Sequence, residues 1–280
     1  MGAVKKQKLL KHFKDIEKIY NATKEELMQT EGIGEKTSEI ILNKSIKQNL
    51  DKHIEYMEKH NIDIVSIQDV EYPEILKEIY DAPISLYVRG NKNILNELSV
   101  AIIGCRECTE YGRNITKNLS YNIAKNKINI VSGLAKGIDG IAHQGALFAK
   151  GKTVAVLGNG LDTIYPKENE HLALEILQKG GAIISEYPLG TKPEKQNFPE
   201  RNRIVSGMSK GIIVVEAKEK SGTLITVDFA LEQGRDVFVV PGNMNSEASI
   251  GTNDLIKQGA KLITSYKDVL EEYSDSAYNL

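Results

Sequence analysis

The run Val131-Ser-Gly-Leu-Ala-Lys-Gly-Ile-Asp139 sets small residues and one ammonium group between an apolar stretch, Ile128 to Val131, and the helix-like Gly140-Ile-Ala-His-Gln-Gly-Ala-Leu147. A strand that ends in small residues and opens a helix aims unpaired backbone N–H groups and the positive helix end at one point. That arrangement suits an anion, above all a phosphate. Ser132, Gly133, Lys136 and Gly137 are the members of the turn with donors to offer. The spacing fits neither GxxxxGK[ST] nor GxGxxG, so it points to phosphate without specifying the compound. Asp139 and His143 stand four positions apart, close enough on a helix to touch. The pattern supplies no further ligand or nucleophile. Asp139 is therefore read as orienting the turn and His143 as packing, with no catalytic group, metal or cofactor expected.

Such a turn needs a rigid frame, and the pattern around it supplies one. Short β-branched runs alternate with helix-length stretches: Leu86 to Val88, Val100 to Ile103, Ile128 to Val131, Thr153 to Leu157, Ala182 to Ile184, Ile212 to Val215, Val237 to Val240, and Leu262 to Thr264. Continuous rather than alternating hydrophobicity predicts strands buried on both faces, a doubly wound α/β domain with a mostly parallel sheet. Ligands of such sheets sit beyond the carboxyl ends of the strands. The residues after each apolar run are rich in glycine, hydroxyls and cations: Gly104-Cys-Arg106, Ser132 to Asp139, Gly158-Asn-Gly-Leu-Asp162 with Tyr165-Pro-Lys167, Ser185-Glu-Tyr-Pro188, Glu216 to Thr223, and Pro241-Gly-Asn243. A separate loop, Asn197 to Ile204, is expected to add Arg201, Asn202 and Arg203, and Ser221-Gly222-Thr223 to open a further helix. Arg106, Lys136, Lys167, Arg201 and Arg203 are expected to line one groove. The amides at Gly133 to Gly137 and Ser221 to Thr223 would hold phosphates, and Phe148, Tyr165, Tyr187 and Phe198 are candidate platforms for unstacked bases.

Residues 1–60 read differently, with apolar residues at helical spacing in Leu9, Leu10, Phe13, Ile16 and Ile19 and again in Ile40, Ile41 and Ile46. A small helical domain over 1–60 and an α/β domain over 61–280 are expected. Gly32-Ile-Gly34 resembles a helix-hairpin-helix turn, which offers amides to a DNA phosphate. It reads equally as a helix C-cap followed by a new N-terminus with Ile33 in the core. Twelve lysines against ten carboxylates in this segment make no strong basic face.

With 280 residues, 41% hydrophobic and 26% charged, the chain can bury a substantial core, and its formal charge of −2 offers no bulk attraction to a polyanion. Nucleic acid, if bound, needs a local patch. The apolar runs are too short to span a bilayer and the N-terminus has no signal-peptide core, so a cytoplasmic protein without membrane contact is expected. Cys105 and Cys108 form a CxxC with no second pair to complete a zinc site.

Six segments taken together carry a resemblance: SGLAKGIDGIAH, LGNGLDTIYPKEN, SEYPLG, FPERNRIVSGMSKGIIVVEA, SGTLITVDFALEQGRDVFVVPG and GTNDLIKQGAKLI. In order and spacing over about residues 85 to 270 they resemble the DprA (Smf) family of bacterial DNA-processing proteins. That resemblance implies an extended Rossmann-like domain and a small N-terminal helical domain of the SAM or helix-hairpin-helix kind. It also implies a protein that binds single-stranded DNA, loads the RecA recombinase, protects incoming strands in natural transformation and forms a homodimer through the region of Gly251 to Ile263. The family's Gly-Ser-Arg turn falls on Gly104-Cys105-Arg106, with cysteine in the usual serine position, and its Tyr-Pro-Lys on Lys167. Many relatives carry a C-terminal winged-helix-like domain, expected to be absent here because the chain stops at Leu280. A competing reading is a nucleotide-binding enzyme related to phosphoribohydrolases of motif PGGxGTxxE. Here Gly222-Thr223 is followed by Leu224 to Val227, so the carboxylate which that chemistry requires is missing. A third reading is a nucleotide-sensing scaffold with a protein partner.

Overall fold

Strands covered by helices on both faces have no solvent side, so their side chains are apolar throughout, and β3 to β7 are buried along their whole length. The computed structural model describes residues 2–43 and 50–273. In chain order its elements are α1 (Ala3–Phe13), α2 (Ile16–Asn21), α3 (Lys24–Met28), α4 (Glu35–Leu42), α5 (Leu50–His60), β1 (Ile62–Ser66), α6 (Glu74–Lys77), β2 (Ser85–Gly90), β3 (Ser99–Ile103), α7 (Glu110–Lys125), β4 (Asn129–Ser132), α8 (Ile138–Phe148), β5 (Thr153–Val156), α9 (Glu170–Gln178), β6 (Ala182–Ser185), α10 (Asn197–Gly207), β7 (Gly211–Val214), α11 (Gly222–Glu232), β8 (Asp236–Val239), α12 (Ile250–Lys257), β9 (Lys261–Leu262) and α13 (Lys267–Tyr273).

One nine-stranded sheet runs in the order β1-β2-β6-β5-β4-β3-β7-β8-β9. From β6 across to β9 all neighbours are parallel, while β2 pairs antiparallel with β6 and with β1. The chain winds outward from β3 in one direction through β4, β5 and β6, then returns to place β7, β8 and β9 on the other side. The direction reverses between β3 and β7, and a crevice opens at such a point beyond the carboxyl ends. Apolar clusters fill both faces: Ala101, Val131, Val156, Ile184 and Val214 with Ile204 and Val227 on one, and Ile102, Ile130, Ile213 and Phe238 with Leu119, Ile123 and Ala142 on the other.

Two local expectations change. Residues 197–204 are not a loop but the first two turns of α10. Pro199 stands in the first turn, where its missing N–H is not required. The sheet also gains β1, in which only Ile62 and Val65 are buried, too weak an alternation to be read from the sequence.

In the N-terminal segment, Leu9, Ala22, Leu27 and Ile33 form a core of their own, with Phe13, Ile19, Ile41 and Leu42 against it. Ile16 and Ile40 stay exposed, and Ile46 lies outside the described residues. Gly32 takes a left-handed φ of 81° at the turn before α4. Lys24 bonds both Glu35 and Glu39 on α4, which places carboxylates on the face that a DNA-contacting turn would need positive. Of the C-cap reading of Gly32-Ile-Gly34, the new N-terminus holds, with Gly34 the N-cap of α4 and Ile33 buried, while α3 has already ended at Met28 with Gln29 as its C-cap, so Gly32 turns the connection rather than capping a helix. Tyr56 and Met57 of α5 pack on the sheet with Ile62 and Ile183, and Gln7 of α1 donates to the Ala82 carbonyl at 2.6 Å.

Candidate nucleic-acid interface

A cavity of about 770 Å³ occupies the switch point. Its walls come from the turn after β3 (Gly104 to Glu107), the turn after β4 (Gly133, Ala135, Asp139), α10 with its preceding segment (Lys195, Phe198, Arg201, Asn202), and the loop from β7 into α11 (Lys218 and Lys220 to Thr223). A small recess of about 50 Å³ adjoins it, lined by Arg106, Lys136, Tyr165, Phe198 and Arg201 among others.

The turns fit together through their glycines. Gly137 has a left-handed φ of 77°, and a Cβ there would run into the Arg106 carbonyl oxygen. Only glycine lets α8 start directly beneath the β3 turn, and Ile138 N donates to the Cys105 carbonyl at 3.2 Å. A Cβ on Gly133 would lie 2.5 Å from the Arg201 guanidinium. Leu134 supplies the other left-handed residue of this turn, with φ 56°, and its side chain is fully buried as an anchor.

The expected cation cluster assembles only in part. Arg106 is exposed at the cavity rim, its guanidinium 5.7 Å from the centre of the Phe198 ring. Tyr165 lies beside Phe198 with centroids 5.5 Å apart. Arg201 forms the cavity floor, 4% exposed, donating to the Gly133 carbonyl at 2.7 Å and to the Val156 carbonyl. Burial pulls its pKa down to about 10, so it stays cationic. Arg203 does not join the cluster. Two positions along a helix turn a side chain to the opposite face, where Arg203 bonds Glu186 at 2.7 Å and Asp81 at 2.8 Å. Lys136 reaches the recess but is paired with Glu168, and Lys167 lies exposed in the adjoining single 3₁₀ turn, outside the lining of both cavities. Lys195, Lys218 and Lys220 complete the positive wall. They stand in irregular segments where no periodicity marks a direction, and only the rule that function follows strand ends pointed at residues 216 to 223.

Three of the amides that the turn pattern offered, those of Gly133, Ala135 and Thr223, are already engaged. Gly133 N donates to Asp139 Oδ2 at 3.2 Å, and the Ala135 amide bonds the same carboxyl group. At α11 the Ser221 hydroxyl accepts from Thr223 N at 3.2 Å, so this helix caps itself. Gly222 is exposed beside it, while the Ser132 hydroxyl points inward and donates to the Ile102 carbonyl. Desolvation raises the Asp139 pKa above the usual carboxylate range, opposed by Arg201 and the two amides.

Asp139 and His143 do not pair. Thr153 Oγ1 gives its proton to the Ile130 carbonyl, so its oxygen accepts from His143 Nδ1 at 2.7 Å, and Nε2 is left without a partner. Burial holds this imidazole neutral with a pKa of about 3. Glu216 is likewise committed: its carboxylate accepts from the Thr109 amide at 2.9 Å and from the Thr109 hydroxyl, capping α7. Burial raises both thiol pKa values, at Cys105 and Cys108, away from thiolate chemistry. Of the other aromatic candidates, Phe148 is exposed near the C-terminus of α8 and the Tyr187 hydroxyl bonds Glu200 at 2.9 Å.

The profile of the family described as DNA recombination-mediator protein A matches residues 63–274, a span that includes every wall of the cavity. The chain belongs to that family. It is 47% identical over 208 residues to DNA processing protein DprA of Streptococcus pneumoniae, covering 74% of this chain and 73% of the relative. It is 42% identical over 225 residues to Protein Smf of Escherichia coli, covering 80% of this chain but 60% of that relative's length. The crystal structure of the pneumococcal DprA superposes with a TM-score of 0.83 at 39% identity, covering 96% of this chain and 93% of that one. A structure of DprA from Helicobacter pylori, concerned with how that protein binds single-stranded DNA, gives 0.69 at 34% identity over 76% of this chain and 97% of its own. This DprA family member therefore shares the fold of the pneumococcal protein, here a nine-stranded, mostly parallel Rossmann-like sheet. Among the described residues no helix is long and apolar enough to cross a membrane.

Proposed function

We propose that this protein binds single-stranded DNA in the switch-point cavity and acts as a recombination mediator that loads RecA and protects incoming strands in natural transformation. The observation that carries the reading is the composition of the cavity wall: Arg106, Lys195, Arg201, Lys218 and Lys220 face Glu107 and Asp139, a local excess of positive charge in a chain of net −2. Exposed cations on a groove attract the phosphate chain irrespective of sequence. Tyr165 and Phe198, with Arg106 over the latter, provide a stacking surface for unpaired bases. The Helicobacter pylori relative's single-stranded DNA binding supports the same polymer. The carboxylates fit binding better than hydrolysis, since Glu216 is spent on the α7 cap and Asp139 on its own turn. Exposed Leu262 on the edge strand β9, with Ile250 on α12, offers the surface for a homodimer.

Titration of a labelled oligothymidylate and of a duplex of equal length, at two salt concentrations, tests the reading. Binding of the single strand that weakens as salt rises is expected, followed by faster RecA filament assembly on that strand. Absence of oligonucleotide binding at low salt would overturn it.

A further inference from the structure

In open α/β sheets the turn from a strand into a helix beside the switch point is where a nucleotide phosphate sits, on the amides of that turn. In this chain the position at the β4–α8 turn is already taken by a carboxyl group. Asp139, in the first turn of α8, sends its carboxylate back to the Gly133 and Ala135 amides, and Leu134, left-handed between them, keeps both on one side. Arg201 supplies the counter-charge from the floor. Its guanidinium is fixed there by the Gly133 and Val156 carbonyls. Asp139 lines the cavity and is partly accessible from it, so its oxygens stand where an incoming phosphate's oxygens would stand.

We propose that Asp139 is the specificity-determining residue of this cavity: its carboxylate is a built-in occupant of the turn's anion position. It bars inorganic phosphate and the phosphate of a free nucleotide, and leaves a polymer to be held by the outer cations Arg106, Lys195, Lys218 and Lys220. The second half rests on the DNA-binding reading above; the first does not. A free mononucleotide has one phosphate to place and loses its best site. A strand has many, and gains from several weaker cationic contacts spaced along a groove. The same carboxylate explains how a strand–glycine–helix turn of this kind sits in a cavity built for a chain.

The experiment compares the full-length protein with Asp139→Ala, which opens the position, and Asp139→Asn, which keeps the volume and removes the charge. Inorganic phosphate and thymidine 5′-monophosphate are titrated by calorimetry, and oligothymidylate binding is followed with and without phosphate at constant ionic strength. The expected result is phosphate affinity at least tenfold above wild type in Asp139→Ala and a smaller gain in Asp139→Asn. Phosphate should compete with the oligonucleotide in the variants and not in the wild type. A merely structural role for Asp139 would weaken folding and oligonucleotide binding with no such gain. Cooperatively melting variants that bind phosphate no better than wild type overturn the proposal, as does a wild type that binds phosphate as tightly as they do. If Asp139→Ala does not fold, the phosphate titration of Asp139→Asn decides. If the wild type binds no oligonucleotide, the DNA reading falls, and the phosphate titrations still decide the role of Asp139.

Discussion

Arg201 and Arg203 carry the same group two positions apart on α10, and the helix sends one into the cavity floor and the other against Glu186 and Asp81. Burial alone would lower the Arg203 pKa, yet the two carboxylates outweigh it and raise it, the signature of a paired structural cation. Replacing Arg203 by Met strands a largely buried Glu186 and is expected to destabilise the fold by about 3 kcal/mol, with the oligonucleotide salt slope unchanged. Arg106→Ala should do the reverse, leaving the urea midpoint in place and weakening binding. A denaturation curve and a titration for each variant check the pair, and a flattened slope in Arg203→Met would return it to the groove. His143 sets a pH dependence. Its folded pKa of about 3 lies below the ordinary 6.5, so below pH 6.5 the unfolded state binds the extra proton. Stability is complete above that value and falls as pH drops toward 3. The loss from pH 7 to pH 5 is about 2 kcal/mol, and His143→Gln should remove it, read as the difference between the two proteins' urea midpoints at each pH. The sequence shows which residues carry donors but not whether those donors are already spent. Lys136, Arg201 and Arg203 look alike as letters, and only the fold shows that Glu168, two carbonyls, and Glu186 with Asp81 claim them.

Glu216 shows the same commitment at the level of an element. It follows β7, reaches across to the β3–α7 connection, and accepts from Thr109 N and Oγ1 at the positive end of α7. A Cβ on Gly112 would run into this carboxylate, so glycine there makes the room. The contact also ties the loop carrying Arg106 to the β7 end, where Cys105 N donates to the Glu216 carbonyl at 3.0 Å. Glu216→Gln keeps the shape and removes the charge that faces the helix end. An expected loss of about 1–2 kcal/mol in urea unfolding, with weaker oligonucleotide binding at constant salt slope, separates a positioning effect from a lost phosphate contact. The central strands were legible because two-sided burial leaves long β-branched runs. The edge strand β1 and α10 were not: β1 buries only Ile62 and Val65, and α10 opens with Asn-Phe-Pro-Glu, which reads as a loop until its proline falls in the first turn. The glycine-rich turn was legible as a strand-to-helix connection. That Gly133 N donates to its own Asp139 was not, because the bond needs a six-residue reach back across Leu134, a left-handed residue with a Cβ that no glycine rule foretells.

At the scale of the molecule, a net charge of −2 hides the groove, because thirty-eight carboxylates balance thirty-six cations of which a few converge at the switch point. Topology does the gathering: the turns after β3, β4 and β7 meet only because the winding reverses between β3 and β7. Arg201 is already bonded to two carbonyls and faces Asp139, so it contributes field rather than a displaceable counterion contact. Four exposed cations remain, Arg106, Lys195, Lys218 and Lys220, of which Lys218 has only a 3.9 Å surface pair with Glu247. Counterion release from single strands then predicts a plot of log affinity against log salt with a slope of about −3, or a loss of about 50-fold between 50 and 200 mM. Each of the four replaced by Gln should take about 0.7 off that slope, and the set together should abolish it. Anisotropy titrations across that salt range measure it. A wild-type slope near zero would mean that the strand is not held by this wall, whereas a slope unmoved by Lys195→Gln, Lys218→Gln and Lys220→Gln would place the phosphates on another face of the sheet.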